Sequence, residues 1–339
     1  MKPYSDLTRT AKLRRLHNLA VAALAHYDLE GPELALHSSA TNLLYRVTTV
    51  SGERFMLRLA VPGWRTLEDL QAEASWLAAL NEETSVPVPR IVPARSGEPV
   101  LQISWPGVPD TWNTTLMSWV PGRLLRYYLS ERNLEKMGAL FAELHDHAAS
   151  WQPPAGFTTR RFEHWLSRGE ENLIVGNAYP EEPGAPPVLP SRARDLLERM
   201  HLHVESAYAA VERSDLRVIH CDLWHDNIKL YRGALHPLDF EDTVWGFRAH
   251  DIAMAMLDLL EDTDEARYSV LLAAFRRGYT AHMAWPEDLI EPFQAGRLLW
   301  KINWVARHQP QHLMAMVESY IPLLEHYEQT GQVLRPPSG

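Results

Sequence analysis

The sequence predicts an α+β chain in two lobes, a small antiparallel-sheet lobe over residues 1–118 and a larger, mostly helical lobe over residues 119–339. Three observations predict it. Up to about residue 118, apolar residues alternate with polar ones in several short runs, the period of half-buried strands, with one helical segment between them. Beyond that point they recur at three- and four-residue spacing, the period of amphipathic helices. At 339 residues the chain also exceeds what one ordinary core organises, so two lobes follow.

The first element is helical. Leu13, Leu16, Leu19, Ala20, Ala23 and Leu24 fall at helical spacing, so the stretch after "KLRR" reads as an amphipathic surface helix. It mimics a secretory leader only superficially, because its apolar run is short and broken by His17. "NLLYRVTTV", "SGE" and "RFMLRLAV" then read as a β-hairpin with a Gly turn. In "TLEDLQAEASWLAALNEE", residues Leu67, Leu70, Ala74, Leu77 and Leu80 share one helix face. "VPVPRIVPA" is a proline-rich loop and edge strand, and "VLQISW" and "TTLMSWV" are two more strands. "PGRLL" ends the sheet pattern. A helical stripe follows through Leu134, Met137, Leu140, Phe141 and Leu144, and another helix runs from about Ser191 to Arg213 after the proline-rich loop "EEPGAPPVLP". "RVIH" and "ALHPLDF" are short strands, and the chain from "HDIAMAMLDLL" to "HYEQT" is helical again.

Composition removes several function classes. An apolar fraction of 46% and a charged fraction of 22% belong to a globular protein. One cysteine, Cys221, excludes an internal disulfide and a Cys-rich zinc module and suits a reducing, cytoplasmic setting. A net charge of −10 argues against nucleic acid as partner and leaves room for a cationic one. No stretch has the length of uninterrupted apolar sequence that a membrane span needs.

The chemistry concentrates in "VIHCDLWHDNIKLY". His220, Asp222 and Asn227 form H-x-D-x-x-x-x-N, and Asp239 follows in "LDF" twelve residues later. Protein kinases carry a catalytic-loop Asp, an Asn five residues on, and a metal-binding Asp at the end of the next strand. A carboxylate there accepts a hydroxyl proton, while an amide oxygen and a second carboxylate hold Mg²⁺ against the phosphates. By itself the motif also fits an ordinary loop capped by Asp222 and Asn227. The parts upstream decide the matter. Arg58 lies on a strand where kinases grip phosphate, and Glu73 on the next helix can pair with it. "HSSATNLLYRV" takes the position of the phosphate-covering loop, and "LMSWVPG" that of the adenine-binding hinge.

With those residues in order, the sequence resembles the aminoglycoside phosphotransferase/choline kinase family, small-molecule kinases with a protein-kinase-like bilobal fold. "VIHCDLWHDNIKL" is similar to the family's H-G-D-x-x-x-x-N loop, and "PLDFEDTVWGFRAHDIAM" to its I-D-[FYW]-[ED]…G…D-[IL]-A segment. The resemblance implies an ATP- and Mg²⁺-dependent phosphotransferase, with GTP left open, acting on an alcohol group of a small molecule: an amino alcohol, a homoserine-like metabolite or an aminoglycoside-like antibiotic. It implies Asp222 as catalytic base, Asn227 and Asp239 as Mg²⁺ ligands, and Arg58 on the α/β-phosphates steadied by Glu73. It also implies adenine contacts from the Ser118 carbonyl and Val120 amide, and loop support from His220 and Asp251. Ser38, Ser39 and Thr41 would cradle phosphate in a loop without glycine.

Four departures sharpen this reading. Cys221 stands where Gly is usual, so the backbone there must tolerate a Cβ. Arg58 replaces Lys, which still clamps phosphate. Phe240 and Glu241 follow Asp239 where a protein kinase has Phe-Gly, and no long activation segment precedes Asp251. These favour a small-molecule acceptor over a protein kinase, and the intact Asp222, Asn227 and Asp239 oppose a nucleotide-binding pseudokinase. Glu241 and Trp245 are candidates for the acceptor pocket, through charge and cation–π contact with an ammonium. Trp300 and Trp304, four apart on one helix face, read as core, and His145 and His147 as polar residues at a helix exit rather than metal ligands.

Overall fold

The alternation at residues 42–60 becomes a hairpin in the computed structural model, which describes residues 2–166, 170–176 and 189–333. In chain order, α1 (Arg9–Leu24) precedes β1 (Glu33–Ser39), β2 (Asn42–Thr48) and β3 (Arg54–Ala60). Then come α2 (Leu67–Glu83), β4 (Ile91–Val92), β5 (Leu101–Ile103) and β6 (Trp112–Ser118). β7 (Arg123–Leu124) leads through a short 3-10 turn to α3 (Glu131–Ser150), β8 (Arg161–Phe162) and α4 (Ser191–Ala210). β9 (Leu216–Ile219), β10 (Ile228–Tyr231), β11 (Ala234–Pro237) and β12 (Val244–Phe247) follow. The chain then continues through α5 (Arg248–Asp262), α6 (Glu265–Thr280), α7 (Ile290–His308) and α8 (Leu313–Thr330). Residues 181–188 of the expected proline-rich loop lie outside the described residues.

Contacts divide the chain into two compact units. The first comprises Met1–Arg123 with Gln152–Thr159 and Tyr231–Asp242; the second comprises Leu124–Trp151, Arg160–Leu230 and Thr243–Gly339. The first unit thus includes a stretch, Tyr231–Asp242, from far along the chain. The physical reason is local: the turn Phe240–Asp242 packs on α2, with the rings of Trp76 and Phe240 5.5 Å apart. Asp239 thus belongs to the first unit, and Asp222 and Asn227 to the second.

In the first unit an antiparallel sheet runs in the order β1-β2-β3-β6-β4, with β5 on β6. Alternation puts Tyr45, Val47, Leu57 and Leu59 on one buried face, where they meet Leu16, Leu19 and Leu24 of α1. Each such side chain contributes roughly 1.5–3 kcal/mol on full burial. α2 starts in a capping box, with Thr66 Oγ1 accepting from Asp69 N and the Asp69 carboxylate from Thr66 N. That fixes the helix register, and Glu73 falls on the buried side.

The second unit is mainly helical. α3 buries the predicted stripe of Leu134, Met137, Leu140, Phe141 and Leu144 against α6. Two glycines allow that crossing: a Cβ on Gly138 would stand 2.0 Å from Phe275 O, and one on Gly278 1.8 Å from Glu135 O. A small sheet, β8-β12-β9, carries the loop that follows β9. β12 lies outside the strands that the alternation predicts, because its four residues are too few for the period to declare itself. Among the described residues no helix is long and apolar enough to cross a membrane.

Candidate active site

In the first unit, strand pleating turns Arg58 inward on β3, opposite Leu44 on one side and Thr115 on the other. Helical spacing brings Glu73 of α2 to meet it. The Arg58 guanidinium grips the Glu73 carboxylate with two hydrogen bonds, Nη1 to Oε1 at 3.1 Å and Nη2 to Oε2, and both side chains are almost wholly buried. Glu241 adds a second carboxylate 3.5 Å from Nη1, and Asp239 stands near enough to favour the charged guanidinium. Burial opposes that charge, but the surrounding carboxylates outweigh it, so Arg58 is held protonated well beyond its ordinary range. Among the described residues its buried Nε has no hydrogen-bond partner.

Glu241, expected to line an acceptor pocket, is committed to this cluster. Its Oε2 accepts from Asn42 Nδ2 at 2.6 Å and its Oε1 from Trp64 Nε1 at 3.1 Å. Asp242 pairs with Arg65. Asp239 holds a left-handed backbone, with φ of +63°. Such conformations are uncommon outside glycine and concentrate where the surrounding structure enforces them. At the end of β6, Ser118 exchanges main-chain and hydroxyl contacts with Arg90: its N–H donates to Arg90 O at 2.8 Å and its Oγ accepts from Arg90 N at 2.9 Å. Val120 follows, buried. Ser39 Oγ, beside the turn that joins β1 to β2, accepts from Arg9 Nη2 at 3.0 Å.

In the second unit the loop after β9 is shaped by one carboxylate. Asp251, in the first turn of α5, accepts from His220 N at 3.1 Å and from Cys221 N at 2.6 Å. It also meets His145 Nε2 at 3.3 Å. The Asp222 N–H donates to His220 Nδ1 at 3.3 Å, which closes the turn. Asn227 then ties the loop's end to its start: its Nδ2 donates to Asp222 O at 2.8 Å and to Asp222 Oδ2 at 2.9 Å. With the amide nitrogen so used, the amide oxygen is the Asn227 atom left for other chemistry. A salt bridge from Arg126 to Asp226 and a hydrogen bond between His225 Nε2 and Asp262 Oδ2 fasten the loop.

Cys221 adopts φ of +65° and is fully buried. The left-handed region costs an ordinary residue about 1–2 kcal/mol, which is why glycine suits this position. Replacing Cys221 with Gly removes that strain and a small buried side chain together, so stability is expected to change by less than about 1 kcal/mol. Cys221→Val, branched at Cβ, is expected to lose more than about 2 kcal/mol. Chemical denaturation of the two variants reads both values.

Three residues behave otherwise than the sequence suggested. His145 is not a polar residue at a helix exit; it lies within α3, 1% exposed, bridging Asp251 and the Tyr279 hydroxyl. Trp300 and Trp304 are half-buried rather than core. Trp300 donates from Nε1 to Glu170 at 3.0 Å and carries the Arg297 guanidinium 4.0 Å above its ring, while Trp304 stacks on His308. Trp245, the other pocket candidate, sits half-buried in β12, its main-chain N–H donating to Arg160 O at 2.8 Å. Arg297, which no motif marked, stands with Nη2 4.0 Å from Asp222 Oδ1.

Comparison with known proteins places this geometry in context. The model of APH, the phosphotransferase enzyme family, matches residues 33–289. No curated protein matches the chain in sequence. The fold is that of a microcompartment-associated aminopropanol kinase, at TM-score 0.78 and 21% identity over 94% of this chain and 100% of that one. It is shared by an amicoumacin kinase solved with AMP-PNP, Ca²⁺ and Ami, at TM-score 0.75 and 17% identity over 97% and 98%. A choline/ethanolamine kinase family protein from Mesorhizobium loti matches at TM-score 0.61 and 17% identity over 94% and 95%.

Proposed function

The chain belongs to the APH phosphotransferase enzyme family, and from that premise we propose that it transfers the γ-phosphate of ATP to a hydroxyl group of a small molecule. The observation that carries the proposal is the double hold of Asn227 on Asp222. It locks the carboxylate's orientation while turning an amide oxygen to other use, the coupling a kinase needs between base and metal ligand.

Asp222 accepts the acceptor's hydroxyl proton as that oxygen bonds to the γ-phosphorus; the bond from phosphorus to the bridging oxygen breaks, and ADP leaves. Arg58, charged and fixed by Glu73 and Glu241, binds the phosphates through donors that include its unpaired Nε. The Ser118 carbonyl and Val120 amide take the adenine edge, and Ser39 the phosphate end. Asn227 and Asp239 offer the hard oxygens that Mg²⁺ prefers. No group of three or more His, Cys, Asp or Glu is set to hold a metal among the described residues, so an ion arriving with the nucleotide would draw on these two residues for the protein's share of its ligands. When bound, the ion neutralises the charge on the transferring phosphate. His220 and Asp251 keep the loop's backbone in place. The lone buried thiol of Cys221 fits a reducing, cytoplasmic setting.

The test is incubation of the protein with γ-labelled ATP and Mg²⁺ over amino alcohols, hydroxy acids, sugars, an aminoglycoside and a generic protein. Label is expected on a small molecule alone, and none after chelation. Label on protein alone, or on no acceptor, overturns the reading.

A further inference from the structure

Resting on the kinase reading above, we propose that the phosphate acceptor is a hydroxy acid, and that Arg297 holds its carboxylate beside Asp222. The side chain of Arg297 is only 11% exposed. A guanidinium carries five N–H donors, yet among the described residues none of those on Arg297 makes a hydrogen bond, and its Nε is sealed from solvent with no partner there. Nη2 reaches Asp222 Oδ1 only at 4.0 Å, an ionic contact too long for a hydrogen bond. A buried cation with unused donors is costly to keep unless something binds there.

The guanidinium is also held still. It lies 4.0 Å over the Trp300 ring, and the Trp300 indole is itself anchored to Glu170. A planar fork fixed in this way matches a carboxylate in two parallel bonds, a recognition that a flexible ammonium does not reproduce.

The charges around it favour the same ligand. Asp258 and Glu261 lie near enough to Arg297 for all three to act on the Tyr320 hydroxyl, and a cationic acceptor there would need those carboxylates free. Lys301, one turn along α7, already occupies them, with Nζ 2.8 Å from Asp258 Oδ1 and 2.6 Å from Glu261 Oε2. Tyr320 Oη donates to the other oxygen of Glu261 at 2.8 Å. The chain supplies its own ammonium there and leaves the guanidinium of Arg297 open. An acceptor with its hydroxyl at Asp222 and its carboxylate a few bonds away at Arg297 satisfies both groups.

The experiment uses matched pairs differing only in the carboxylate: serine with ethanolamine, and homoserine with 3-aminopropanol. Calorimetric titration with AMP-PNP and Mg²⁺ present reads binding without turnover. Wild-type protein is expected to bind the acid of at least one pair, and more tightly than its amine. Arg297→Met is expected to weaken that acid at least about thirtyfold, with Arg297→Lys in between. In turnover assays the loss should fall on KM for the acid, with the amine little affected. Circular dichroism of both variants establishes that they fold. Tighter binding of the amines, no binding of either acid, or an equal fall in kcat for acid and amine in Arg297→Met overturns the proposal; the last result makes Arg297 a positioning partner of Asp222. Acid binding that depends on Arg297 without any phosphoryl transfer would instead count against the kinase reading alone.

Discussion

Asp222→Asn is expected to lower kcat by about 10²–10⁴-fold, the range that a general base contributes, with affinity for ATP retained. The substitution isolates proton acceptance from shape. Asparagine has the same outline, and its amide oxygen can still accept from Asn227 Nδ2, as Asp222 Oδ2 does at 2.9 Å. The loop's closure through Asn227 Nδ2 and the Asp222 main-chain oxygen involves no Asp222 side-chain atom and survives as well. What disappears is the basic carboxylate oxygen proposed to take the proton, and with it the negative charge that faces Arg297. The nucleotide grip assigned to Arg58 and Glu73 is untouched, so a fluorescent ATP analogue should bind the variant as it binds the wild type. Steady-state kinetics with the best acceptor, set beside that binding curve, separates the two effects. Full activity in Asp222→Asn or Asp222→Ala would remove Asp222 from the chemistry and leave the loop a structural turn.

Much of the architecture was legible because short-range pattern determines it. The hairpin over 42–60 follows from alternation, and the placement of Glu73 from helical spacing behind a capping box whose two residues are visible in the sequence. The loop motif was legible because its own residues hold one another, with Asn227 closing on Asp222 across five positions. What escaped was set by partners far along the chain. Glu241 looked like a pocket carboxylate because it follows Asp239, but its hydrogen-bond partner Asn42 lies 199 positions away. His145 was dismissed on local spacing, and its partner Asp251 is 106 positions away. Periodicity put Trp300 and Trp304 on one face of a helix and was silent on what that face meets. Arg297 lay in no motif; its signal is the mismatch between burial and unused donors, which exists only once the chain is folded.

Asp251→Ala is expected to cost about 3–5 kcal/mol of stability, the larger effect on folding of the substitutions considered. The carboxylate is 2% exposed and is the acceptor for two consecutive main-chain N–H groups, those of His220 and Cys221. Its removal strands both donors in a place water does not reach, at about 1–3 kcal/mol each, and frees His145 from its partner. Asp251→Asn keeps one acceptor oxygen but points an NH₂ group at the other donor, so its loss should be intermediate. Acid titration supplies an independent sign. Burial pushes the Asp251 carboxyl up, but the hydrogen bond from His145 and the charges of His145, His220 and His250 pull harder, and its folded value lies below the ordinary carboxylate range. The unfolded chain therefore takes up the proton first as pH falls. The stabilisation is complete above the unfolded value of about 4 and is lost as pH drops through the lower folded value. Urea melts of the wild type between about pH 6 and pH 3 should show stability falling toward acid, and Asp251→Asn, which cannot ionise, should show a shallower fall. Because Cys221 sits at φ of +65° directly on this carboxylate, loosening it should also let the strained turn relax. The kcat of Asp251→Asn should then fall at temperatures where the protein is still folded, while nucleotide affinity holds. Parallel slopes in the two melts, with kcat unchanged, would reduce Asp251 to an ordinary buried acid and leave the loop's geometry to Asn227 alone.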